Sequence, residues 1–216
     1  MAARQQSARK VVRASTAAPS YFDPEPITIA SEKGKEAAIG TFVDGGVSPF
    51  NNPSFQAFLY VTLSGYHVQW GTGAEQLLLV SAGTGASDPS RTPANIAAEG
   101  AVKAVLSLMD DCAALVETLM QWMSASPTAR EIDREMGDLG SDLVAGTSLL
   151  SYLRYNIMLS QKEVEELCPG LSTKEIASLG EMDNPDNLDV LLDLGEAAAE
   201  RKVRDGDFPS TFDLQI

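Results

Sequence analysis

Residues 75–85, EQLLLVSAGTG, restrict the fold more than any other stretch. Leu77, Leu78, Leu79 and Val80 are apolar without alternation, and Gly83 and Gly85 end the run. A strand with one wet face alternates; a continuous apolar run predicts a strand covered on both faces, as in a parallel sheet. The strongest helix pattern follows, over 95–123. There Val102, Val105, Leu106, Met109, Ala113, Val116, Leu119, Met120 and Met123 recur at three- and four-residue steps, weakened only by Gly100.

Further elements are legible on either side. Residues 3–16 suit a helix, and three prolines in 18–26 end it. Residues 27–30 and 38–43 read as short strands, the second ending at Asp44. Asn52 is placed to cap a helix beginning at Pro53 and running to about Leu63. Residues 133–142 are polar and read as a loop or short helix, whereas 149–157 are apolar and aromatic. Ser172 or Thr173 ahead of Glu175 predicts a capping box, and 186–203 a final amphipathic helix. Strands alternating with helices give an α/β class, but three strands make a thin sheet for 216 residues.

Charge excludes some partners. Arg4, Arg9, Lys10 and Arg13 fall in the first 13 residues with no acid, leaving −18 on the rest of a chain whose total is −14. That N-terminal stretch has the composition of an organelle presequence, but better suits a helix of the folded body. An acidic body repels nucleic-acid phosphates and anionic headgroups, so no nucleic-acid partner is expected. Apolar content of 44% suffices for a core. No apolar run approaches the roughly 18 residues of a membrane span. Cys112 and Cys168 are far apart, which suits a reducing, cytoplasmic setting. With His67 the only histidine and no cysteine cluster, neither a metal nor another cofactor is expected.

Asp44 is the residue with most chemical interest. Asp-Gly between apolar residues signals a hairpin, because both positions tolerate positive φ. The competing reading is a general base at the end of a buried strand, where α/β sheets gather their ligands. Residues 81–85, SAGTG, could hold an anion on backbone amides, but a lone GxG after a strand is a weak signal and a simple tight turn is the better reading. Residues 183–189, DNPDNLD, lack the glycine and glutamate of an EF-hand loop and read as solvated. The nucleophile elbow G-x-S-x-G is absent. Its near misses, around Ser48 and Ser87, lack the second glycine and read as loop serines.

Three segments together carry a resemblance. VVRASTAAPSYFDP (11–24), FVDGGVSPFNNP (42–53) and LLLVSAGTG (77–85) occur in the order seen in patatin-like phospholipases. DREMGDL (133–139) and YLRYN (152–156) resemble further stretches of bacterial members, so the similarity runs from about residue 10 to 208. The resemblance implies a three-layer α/β/α sandwich with a mainly parallel sheet, and lipid acyl hydrolysis by a Ser-Asp dyad. Asp44, with Gly45 and Gly46, matches the family's D-G-[GA] motif. The implied mechanism is attack by serine on an ester carbonyl while the aspartate takes its proton, followed by hydrolysis of the acyl-enzyme.

The departure from that pattern is large. The family's G-G-G-x-[RK]-G oxyanion loop and G-x-S-x-G elbow precede the RASTAAP segment, and neither is found here. The expected architecture is therefore an incomplete sandwich. Residues 1–90 would be the C-terminal part of the catalytic domain and 91–216 its helical extension. A lipid or ester substrate is implied, with peripheral contact to membranes compatible with it. Strands 38–43 and 77–82 are expected to expose apolar faces and edges, which calls for a missing N-terminal half or for self-association. The alternatives are a non-catalytic binding or regulatory protein on the same scaffold, and an unrelated α/β binding domain with a turn at Asp44.

Overall fold

The computed structural model describes residues 8–19, 21–28, 38–86, 97–181 and 184–214. Its centre is a three-stranded parallel sheet. Strand β3 (Leu78–Ala82) pairs with β5 (Leu150–Tyr155) from Leu78↔Ser151 to Ala82↔Tyr155, and β4 (Ser124–Ala125) pairs with the other side of β5. Parallel neighbours need a crossover rather than a tight turn. The long helix α3 (Ala97–Met123) supplies it, leading from β3 to β4.

The main core lies between this sheet and two helices. From α2 (Ser54–Thr62) comes Phe58, and from α3 come Val116 and Met120. They close on Leu77, Leu150 and Tyr152. Leu150 to Leu153 are all buried, so β5 is the strand covered on both faces. This corrects the expectation for 77–82. Parallel pairing is found there, but β3 stands at the sheet's edge. Leu77 just before it is buried, whereas Val80 is 50% exposed.

Strands β1 (Glu25–Thr28) and β2 (Ile39–Phe42) form a separate antiparallel ribbon, in register from Glu25↔Phe42 to Thr28↔Ile39. Helix α1 (Ala8–Ser15) precedes it. The strand leading to Asp44 is therefore not a buried member of the parallel sheet; Ile39, Phe42 and Val43 are exposed. The fold is mixed α/β, with apolar surface left open on β2 and β3.

A second core is built mainly by helices. Val164 of α4 (Gln161–Leu167), Ile176 of α5 (Thr173–Ser178) and Leu194 of α6 (Leu188–Lys202) meet Leu159 and Leu179. The capping box forms as expected. Ser172 Oγ accepts from Glu175 N at 3.3 Å, and Glu175 Oε2 accepts from Ser172 N at 2.8 Å. These bonds favour the carboxylate and lower the Glu175 pKa. The solvated-loop reading of 183–189 needs correction for the residues described. Pro185–Asn187 is a 3-10 turn leading into α6, and buried Asn187 donates to Ser178 O at 2.6 Å. Among the described residues no helix is long and apolar enough to cross a membrane.

Truncating Met120, which is fully buried in the main core, should cost about 2–5 kcal/mol as Met120→Ala. Leu192→Ala, at an exposed position, should stay within about 0.5 kcal/mol. Urea unfolding followed by circular dichroism compares the two.

Candidate functional site

Asp44 directly follows the β2 ribbon. Its amide donates to Ala17 O at 3.0 Å, tying it to the segment after α1. It then caps a 3-10 turn over Gly45–Val47, with Oδ1 accepting from Gly46 N at 2.7 Å. Neither Gly45 nor Gly46 has positive φ, and the chain runs on into a second 3-10 turn, Pro49–Asn51. Asp-Gly is therefore not a hairpin turn here. Close approach favours the glycines instead. A Cβ on Gly46 would lie 3.0 Å from Asp44 Oδ1, and one on Gly45 3.1 Å from Phe50 Cβ. Asp44 is half-buried, and its Oδ2 accepts no hydrogen bond among the described residues. One oxygen is thus held in place while the other is open to a proton donor.

A buried polar chain stands eight to ten residues further on. The expected cap differs in detail: Pro53 occupies the cap position of α2, and Asn52 reaches over it. Asn52 Oδ1 accepts from Ser54 N at 3.3 Å and from Ser54 Oγ at 2.6 Å. Ser54 Oγ also lies 3.0 Å from Ser81 Oγ and 3.4 Å from Tyr152 OH. Arg154 Nη1 donates to Ser81 Oγ at 2.8 Å. Asn52, Ser54, Ser81 and Tyr152 are all buried. No sequence motif singles out the side chains of Ser54, Ser81 and Arg154, the last two lying in SAGTG and YLRYN. The available signal was a cation inside an otherwise apolar strand, in YLRYN.

The glycine loop after β3 does not present its amides to a ligand. Gly83 N donates to Tyr155 O, Gly85 N to Asn156 Oδ1 and Ala86 N to Ile157 O, at 2.8, 3.0 and 2.9 Å. Those bonds continue the β5 pairing, so the anion cradle expected on 81–85 is not formed by these three amides. A Cβ on Gly83 would collide with Asn156 and Arg154. No hydrogen bond joins Ser48, His67, Cys112 or Cys168 to the Asp44 carboxylate among the described residues. Ser48 caps its own turn, accepting from Phe50 N and donating to Gly45 O. Ser87 lies outside the described residues. His67 sits exposed in left-handed conformation (φ 62°) at the end of a 3-10 turn. Cys112 and Cys168 are free thiols. Among the described residues no three of His, Cys, Asp and Glu converge on a metal-sized site.

The far end of β5 is tied to the C-terminal tail. Tyr155 OH donates to Asp207 Oδ2 at 3.0 Å, beside a cleft of about 290 Å³ bordered by Leu78, Phe208 and Phe212. Burial, the hydrogen bond to Asp207 and its negative charge push the Tyr155 pKa up to about 12. The unfolded chain releases that proton near pH 10, before the folded one does. The contribution is therefore fully present below about pH 10 and lost as pH rises to about 12. Tyr155→Phe should flatten that part of the stability–pH profile, measured by urea midpoints between pH 9 and about 12.

No family model, curated protein or solved structure matches the chain.

Proposed function

We propose that this chain carries the aspartate side of a Ser-Asp lipid acyl hydrolase of the patatin-like type, with Asp44 as the general base. The observation supporting the reading most directly is the geometry of Asp44: one carboxylate oxygen fixed by Gly46 N and the other without a partner among the described residues. An oxygen so placed suits removal of a proton from a serine hydroxyl. The order of the motifs around it agrees with that role. The sandwich of the family is the wider architecture proposed, with residues 1–90 and 91–216 as parts of one domain.

Asp44 has no partner hydroxyl for such chemistry in this sequence, because G-x-S-x-G is absent. Serine hydrolases deprived of their nucleophile typically lose on the order of a million-fold in rate. Each missing oxyanion donor costs roughly 3 kcal/mol more. The purified chain should therefore release no measurable p-nitrophenol from acyl esters. Supplied with a polypeptide bearing the elbow and oxyanion loop, it should gain activity, and Asp44→Ala should then reduce the rate by about 10⁴-fold. Ester hydrolysis by the chain alone that depends on Asp44, or complemented activity indifferent to Asp44→Ala, would sink the reading.

The open apolar surface of Ile39, Phe42, Val43 and Val80 supports the accompanying proposal that the chain self-associates when that polypeptide is lacking. Light scattering should show a mass that grows with concentration; a clean, stable monomer over the same range would count against it.

A further inference from the structure

The C-terminal tail closes a cleft on the second face of the sheet. Leu77 and Leu79 pack into the main core, so Leu78 and Val80 face the other way. Tyr155 pairs with Ala82 and shares that second face. Two 3-10 turns of the tail, Asp205–Asp207 and Ser210–Phe212, come back to it. Asp207 does the fastening: its Oδ2 accepts from Tyr155 OH at 3.0 Å and from Arg204 N at 3.2 Å. The cleft left between tail and strand holds about 290 Å³. It is lined by Leu78, Phe208, Pro209 and Phe212 together with Asp205 and Asp213.

The two halves of this lining differ in chemistry. Leu78, Phe208, Pro209 and Phe212 are half-buried and give an apolar wall with two aromatic rings. Asp205 and Asp213 are exposed, and neither carboxylate has a cationic partner among the described residues. The cations just before the tail are engaged elsewhere, Arg201 with Glu166 and Lys202 with Glu163. Arg204 does not line the cleft. Two carboxylates repel an anionic ligand, and a neutral apolar ligand would desolvate them without giving them a partner. An organic cation satisfies both halves. Its charge meets the carboxylates, its carbon atoms meet Leu78 and Pro209, and aromatic rings attract a cation in their own right. The volume falls at the lower end of the range for small-molecule sites, so the ligand is small.

We infer that this cleft binds a small organic ammonium ion, held by Asp205 and Asp213 and by the rings of Phe208 and Phe212. Asp44 does not line it, nor do Ser54 and Ser81, so the site stands apart from the acyl-hydrolase reading.

The test is a titration of the full isotope-labelled chain, followed through its amide NMR signals. The probes are butylammonium chloride and tetramethylammonium chloride; sodium chloride at the same ionic strength and butanol at the same concentration are the references. The amides of Leu78, Phe208 and Phe212 should shift saturably with one or both ammonium ions. Which of the two responds tells a primary amine from a quaternary one. Neither reference should produce a saturable shift there. Asp205→Asn combined with Asp213→Asn should weaken the apparent affinity by about tenfold. Phe212→Leu, which keeps an apolar wall without the ring, should weaken it by about threefold. Glu131→Gln, at an exposed acid outside the cleft, should leave it unchanged. The absence of saturable shifts at these amides overturns the proposal. So does an equal response to butanol, or an affinity unchanged in the double aspartate variant. If Phe212→Leu releases the tail, the double aspartate variant and the butanol comparison decide.

Discussion

The pairing of β3 with β5 is the constraint on which the rest depends. It joins residues 78–82 to 150–155 in parallel, so the chain between them must leave the sheet and return. Helix α3 makes that excursion and buries Val116 and Met120 against the sheet it has just left. The same pairing sets Ser81 beside Arg154 in register, which is why the hydroxyl of one strand can meet the guanidinium of the next. Without this register Ser54 would have no partner on the sheet, and the start of α2 would lose its anchor.

That anchor links the two features of chemical interest. Residues 45–53 lie between Asp44 and Ser54, and most of them form two consecutive 3-10 turns, Gly45–Val47 and Pro49–Asn51, packed on α3. Asp44 is fixed at one end by Ala17 O and Gly46 N, and Ser54 at the other by Asn52, Ser81 and Tyr152. The carboxylate is positioned by local turn geometry and this tether, rather than by membership of the parallel sheet.

The sequence was most legible where one residue type has one physical use. The Ser172–Glu175 box and the three- and four-residue apolar steps of α3 and α6 reappear as helices within a few residues of their expected bounds. Apolar continuity at 77–80 identified parallel pairing but misplaced it within the sheet. An edge strand and a central strand can both be rich in leucine, and only the neighbours decide which is which. Residues 149–157 read only as apolar and aromatic; Arg154 inside them is accommodated by Ser81 on the neighbouring strand, a compensation no local pattern reveals. Asp44 was legible as a turn residue, but its turn type was not. Asp-Gly favours positive φ in isolation, yet both glycines take a 3-10 path here, which brings Gly45 against Phe50 and Gly46 against the Asp44 carboxylate.

The β1–β2 ribbon poses the remaining physical problem. Two strands with an exposed apolar face are marginal in isolation. Here they gain support from outside the ribbon: Asp44 N donates to Ala17 O, Arg13 Nη2 donates to Asp23 O at 3.2 Å, and the Arg13 guanidinium lies 4.9 Å from the centre of the Phe22 ring. These ties are polar or partly exposed, and each contributes modestly. Ile39, Phe42 and Val43 stay exposed and add little of the stabilisation that burial gives, at about 25 cal/mol per Å² of apolar surface removed from water. Covering that face would add most of its stabilisation at the residues leading into Asp44. A partner that covered it would also steady the carboxylate, because the same few side chains lead into the Asp44 turn.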